Sequence, residues 1–243
     1  MPGPLAAHLD LFWHTEWELP GGAAHRQRLL TLPAVQVVVE PQDATVTGPL
    51  RRPWVRDLSG SGWALGVMFR PGGFRDVLGA PISTLTDRDV PVQDVFGPAG
   101  DQFAAAVRGV VTDEERFAVA AAFFADRLAA PSAEQLAVTA AVERVIDDEA
   151  IVRVADLARA CHWSIRHLQR LFADYVGVTP KWAIRRYRLV NAAERVARHQ
   201  GVEWDLLVSE LGYSDQSHLV RDFTGVIGMP PARYAAACRA GRS

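Results

Sequence analysis

"GYSDQSHLVRDF" (Gly212–Phe223) decides the reading of this chain, because "CHWSIRHLQRLF" (Cys161–Phe172) repeats its logic upstream. Each stretch is a tight turn that opens a short helix studded with Arg, Gln and His. A shift of 51 residues lays Leu168 on Leu219, Arg170 on Arg221 and Phe172 on Phe223. The same shift lays Gly177 on Gly228 and Pro180 on Pro231. Identities concentrated at one offset mark a duplicated supersecondary unit; two copies are too few for an extended solenoid.

Each copy has the parts of a helix-turn-helix. In the first, "RVADLARA" (Arg153–Ala160) is a short helix with Val154, Leu157 and Ala158 on one face, and "CHW" is the turn. Ser164 is a good N-cap, since its hydroxyl can accept from an orphan amide of the next helix. Leu168, Leu171 and Phe172 follow at the spacing of a buried stripe. Arg166, Gln169 and Arg170 share that spacing on another, wholly polar face. In the second copy "WDLLVSEL" (Trp204–Leu211) leads and Gly212 makes the turn. Ser214 or Asp215 can cap, and the 51-residue register favours Asp215. Leu219 and Phe223 face inward, while Ser217, Val220 and Arg221 stand where the first copy has Arg166, Gln169 and Arg170.

These faces suit a duplex. An α-helix fits the major groove, where Arg forks onto guanine, Gln pairs with adenine and a small apolar group rests on a thymine methyl. Between the copies, "KWAIRRYRLVNAAERVARH" (Lys181–His199) reads as one helix. About 19 residues span roughly 28 Å, close to the roughly 34 Å between groove faces on one side of DNA. Two readers on one strut would then read two adjacent half-sites. Charge agrees. The net −2 hides 12 Arg against 20 acids up to Ala150, and 14 bases against 8 acids from Ile151 onward. A net of −8 thus precedes a net of +6, the second suited to a polyanion.

The windows "SIRHLQRLFADYVGVTP" and "LGYSDQSHLVRDFTGVIGMPPARY" resemble the paired helix-turn-helix of AraC-type transcriptional regulators. The resemblance implies base contacts from Arg166, Gln169 and Arg170 in the first reader. In the second it implies Gln216, Ser217, Val220 and Arg221. Cys161 stands where the second copy has Gly212, and "MPP" brings a second proline to the last turn. "GVMFRPGGFRDVLGAPISTLTDRDVPVQDVFG" (Gly66–Gly97) is similar to a segment preceding the DNA-binding part of some such regulators, which implies a sensor role.

The fold class expected is α+β. An N-terminal β-rich sensor domain, barrel- or sandwich-like and carrying helices, covers residues 1–130. An all-α double helix-turn-helix domain covers residues 134–243. "LLTLPAVQVVVE", "ATVTGPL", "WVRDL" and "GSGWALGVMF" read as short strands broken by Gly and Pro. "GFRDVLG", "GPAGDQFAAAVRGVV" and "DEERFAVAAAFFADRLA" then read as helices. Ser132 and Gln135 form a capping-box pair at the boundary.

Other motifs weigh less. His14 and Glu16 open a zinc-deaminase-like His-x-Glu, but its Cys partners are missing, so no metal and no cofactor are expected. His8, His14 and His25 read as structural or exposed. "GSGWALG" leads into a strand, whereas phosphate cradles need a helix N-terminus. Trp13, Trp17, Trp54 and Trp63 read as core packing before a ligand pocket, and Cys161 as a packing residue before a redox switch. His218 reads as a phosphate contact or as a plain surface residue.

The function expected is a sequence-specific DNA-binding transcription regulator controlled by an unidentified effector. A non-specific architectural binder would need no outward Gln and Arg in register. An alkyl-transfer enzyme fused to a DNA-binding unit would need an N-terminal cysteine, and none precedes Cys161. No catalytic residue is therefore expected. Double-stranded DNA is the partner, with a small-molecule effector, RNA polymerase and a second copy of the chain as further candidates. No apolar run approaches the roughly 20 residues of a membrane span, and two cysteines fit a reducing cytoplasm.

Overall fold

A computed structural model describes residues 4–198, 208, 212–213 and 215–240. The chain opens with a short helix α1 (Pro4–His8), then strands β1 (Leu9–Glu18) and β2 (Ala24–Leu29). Strands β3 (Gln36–Val39), β4 (Ala44–Thr47), β5 (Trp54–Ser59) and β6 (Ser61–Phe69) follow. After α2 (Arg75–Leu78), the short edge strand β7 (Asp89–Pro91) closes the β-rich part. Five strands form one antiparallel sheet in the order β1-β6-β3-β4-β7, while β2 and β5 pair as a separate ribbon. The ribbon prolongs the β1–β6 pair, turning at Gly60 and at the loop 19–23.

Alternation sorts the sheet's faces. Val37 and Val39 of β3, Val46 of β4, and Leu65, Val67 and Phe69 of β6 are buried. Helices α3 (Val92–Phe96), α4 (Pro98–Arg108) and α5 (Asp113–Ala125) cover that face. The ring of Phe69 meets Phe74 at 4.7 Å and Phe124 at 5.2 Å, both edge-on, the geometry ring quadrupoles favour. Thr112 and Glu115 close a full capping box at the start of α5. On the other face Trp13 and Trp17 lie across from Gly66 and Gly62. A Cβ on Gly66 would come within 2.0 Å of the Trp13 indole. These tryptophans use the missing side chains to lie flat on the strand.

The rest is helical: α6 (Ala133–Asp147), α7 (Val154–Ala160), α8 (Ile165–Leu171), α9 (Pro180–Arg198), α10 (Gln216–Ile227) and α11 (Pro231–Ala240). Ser132 caps α6 through the Gln135 amide at 3.1 Å. The Gln135 side chain does not complete the box; it turns inward and donates to the Ala7 carbonyl at 3.3 Å. One apolar cluster joins α6, α7, α8 and the first half of α9, and a smaller one joins the second half of α9 to α10 and α11. The architecture is a β-rich region with helices followed by a helical double-unit region.

The two regions touch along several seams. Arg75 pairs with Asp174 at 2.6 Å, and the Thr86 hydroxyl donates to the Gly177 carbonyl at 2.5 Å. Leu32, from the loop after β2, packs into the first helical cluster. At the far end, Arg28 of the ribbon donates to the Gly225 carbonyl at 3.2 Å. A cation at the last turn of α10 also suits its dipole.

Candidate nucleic-acid interface

The first unit is built from α7, a turn and α8. His162 adopts a left-handed φ of 56°, a region in which His is enriched among residues other than Gly. The Trp163 amide donates to the Ala158 carbonyl at 2.9 Å and the His162 amide to the Arg159 carbonyl at 3.1 Å. Those two bonds are a Schellman ending. Ser164 then caps α8, its Oγ accepting from the His167 amide at 3.2 Å. Leu168, Leu171 and Phe172 are buried. Arg166, Gln169 and Arg170 are exposed. Arg170 reaches Glu134 at 3.5 Å, with both side chains about half exposed, so the contact is weak and easily exchanged.

In the second unit Gly212 takes the left-handed place at φ 67°, and the Tyr213 amide donates to the Val208 carbonyl at 3.0 Å. The other residues of the leading stretch "WDLLVSEL", and Ser214, lie outside the described residues. Asp215 caps α10 by accepting from the His218 amide at 2.8 Å. Leu219 and Phe223 are fully buried. Gln216, Ser217 and Arg221 are exposed, and Val220 is half-buried beside them.

The two turns differ in one respect that the 51-residue register hides. The left-handed residue of the first copy is His162, not Cys161, the position aligned with Gly212. The helix endings are thus 50 residues apart and the caps 51, so the second turn is one residue longer. Burial raises the Cys161 thiol pKa, which fits a packing residue.

The connecting helix runs from Pro180 to Arg198; His199 lies outside the described residues. Lys181 and Arg185 are exposed on it, while Arg186 and Arg188 are buried. Asp222, unmarked in the sequence reading, anchors the second reader to this helix. It forms an ion pair with Arg185 and accepts from the Tyr213 hydroxyl at 2.9 Å. His218 sits 3.7 Å from the same carboxylate, so its ring is engaged within the unit. The signal available was spacing: Tyr213, His218 and Asp222 line one side of the turn and helix.

His14 and Glu16 do meet a third ligand type, Asp113, with one donor atom of each within 4.8 Å of the others. A cation already stands there. Arg116 approaches His14 at 3.0 Å, Asp113 at 3.6 Å and Glu16 at 3.8 Å, and lies 4.0 Å over the Trp63 ring. The group is an internal ion cluster centred on Arg116.

Residues 157–237 match the family described as Helix-turn-helix domain. The C-terminal part of this chain is a helix-turn-helix domain. The match spans both readers, so the helix-turn-helix domain is paired, as the resemblance to AraC-type regulators implied. Residues 2–91 match a family described as Domain of unknown function (DUF6597). Among solved structures, ToxT from Vibrio cholerae in its P21 form is similar at 10% identity and a TM-score of 0.44, over 92% of this chain and 97% of that one. ToxT from Vibrio cholerae O395 bound to (E)-4-(8-methylnaphthalen-1-yl)but-3-enoic acid gives 10% and 0.43, over 93% and 99%. Among the described residues, no helix is long and apolar enough to cross a membrane.

Proposed function

We propose that the helix-turn-helix domain reads two adjacent major-groove half-sites, one with α8 and one with α10, under the control of an effector. Residues 134–243 form the DNA-binding unit and residues 1–130 the sensor. Arg166, Gln169 and Arg170 contact bases at one half-site, and Gln216, Ser217, Val220 and Arg221 at the other. The observation that carries this reading is the pair of capped helices, each presenting a polar face opposite a buried stripe. A second copy of the chain and RNA polymerase are the further partners we propose, in the cytoplasm. Ordered packing of the β-rich region against both units favours a sensor coupled to the readers over a loose tether.

Selection of random duplexes by the full-length protein, followed by sequencing, tests this. The expected result is a bipartite motif with halves about 10 base pairs apart. Salt-sensitive binding with no sequence preference would favour an architectural role instead.

A further inference from the structure

Where the loop after β4 meets α9 and α10, a cleft of about 270 Å³ is lined by Arg51, Arg52, Arg185, Arg186 and Arg221. Two of these are neutralised: Arg51 by Asp87 at 2.7 Å, and Arg185 by Asp222. Arg52, Arg186 and Arg221 have no ion pair among the described residues. Positive charge therefore exceeds negative charge inside a concave, partly apolar space, which focuses the field on a small anion.

Arg186 is the telling residue. It is 3% exposed. Its guanidinium lies 4.5 Å over the Trp182 ring, and Nη2 donates to the Arg51 carbonyl at 3.0 Å. Nη1 has no hydrogen-bond partner among the described residues. Burial, and then the neighbouring charge of Arg185, lowers the Arg186 pKa to about 10, so the group stays cationic at neutral pH. A buried cation with an unused donor is costly unless something answers it. A duplex phosphate cannot reach a side chain this deep. Arg186 lines the cleft, which is of a size for a free small molecule instead.

The remaining lining names the rest of that molecule. Trp182, Leu189, Val226 and Pro53 supply apolar wall beside the arginines. We propose that this cleft binds a small organic anion, its carboxylate or phosphate group held by Arg186 and Arg221 and its apolar body against Trp182, Leu189 and Val226. Both oxyanions offer the paired acceptors that guanidinium forks match. The cleft joins a loop of the β-rich region to the second reader, and one guanidinium cannot serve an anion and a base edge together. Assigning this ligand as the regulator's effector rests on the function proposed above; its binding does not.

Isothermal titration calorimetry of the full-length protein with benzoate, and separately with phenyl phosphate, tests the proposal. We expect saturable binding of at least one, the tighter of the two identifying the headgroup. Arg186→Gln is expected to weaken it about tenfold or more. Because a change at a buried position can disturb folding, Arg52→Ala on the exposed loop is the second variant, with a loss of about threefold expected. Absence of binding to both probes down to a Kd on the order of 10 mM overturns the proposal, as does wild-type affinity in both variants. DNA affinity of the same wild-type sample is measured without anion. Its absence would count against the regulator reading and leave the calorimetric result to judge the cleft.

Discussion

Arg185 of the connecting helix and Asp222 of the second reader form an ion pair across the seam between α9 and α10. Tyr213, from the turn, donates to the same carboxylate. Burial first, and then the bond to Asp222, pushes the Tyr213 phenol well above its ordinary pKa, so it remains a neutral donor. One carboxylate thus ties turn, reader and connecting helix together.

Asp222→Ala should cost about 1–2 kcal/mol of stability, since it removes one hydrogen bond and one ion pair whose guanidinium is half exposed. The loss should fall on the second half-site. Fluorescence anisotropy on duplexes with one or the other half-site scrambled checks this; equal loss on both would show that Asp222 supports the whole domain.

Arg170→Ala and Arg221→Ala should each cost about 1–3 kcal/mol at one half-site and relax base preference there. Binding measured against single-base variants of the selected site is the check. Uniform weakening across all sequences would place these arginines on phosphates.

The caps Ser164 and Asp215 each satisfy one amide at the start of a reader. Ser164→Ala and Asp215→Ala should each lower stability by about 1 kcal/mol, and the two losses should add because the caps serve different helices. Urea denaturation of the single and double variants measures both points. An unchanged midpoint would mean that water replaces the cap.

Acid should loosen the cleft loop through Asp87. Desolvation works to raise its pKa, but the Arg51 amide and side chain outweigh this and hold it below the ordinary value. A depressed carboxylate pKa gives stability that is present above the unfolded value, about 4. That stability is lost as pH falls through the folded value beneath it. Asp87 has a left-handed φ of 58°, which Asn tolerates. Asp87→Asn should therefore lower stability at neutral pH and flatten the acid limb below about pH 4. Thermal melts of both proteins from neutral to acid pH measure it; parallel curves would show that Asp87 contributes nothing to the titration.

Local chemistry made the readers legible. A cap, a left-handed turn and a stripe at i, i+3 and i+4 are all written within a dozen residues, and Ser164, Asp215, Leu168 and Phe223 behave as their spacing required. The strands β3 to β6 were visible for the same reason, as apolar runs between Gly and Pro. β1 was not, because its mixed sequence "LDLFWHTEWE" is shaped by one partner strand, β6, whose glycines admit the tryptophans. Long-range meetings were equally hidden. Nothing local to Arg186 says that the Arg51 carbonyl will meet it 135 residues away, and nothing local to His14 foretells Arg116. The turn register failed for a subtler reason: identities in the readers align the caps, while the preceding helix endings follow their own hydrogen bonds.

The extra residue between Gly212 and Asp215 bears on how these readers could be exchanged. Because each recognition helix takes its phase from its own cap, a transplant of α8 into the second unit belongs at the junction Asp215–Gln216. A cut at Gly212 would import a shorter turn and rotate every exposed side chain of the helix by about 100°, the angle of one residue on an α-helix. The duplication is modular from the cap onward, and interchangeable parts begin there.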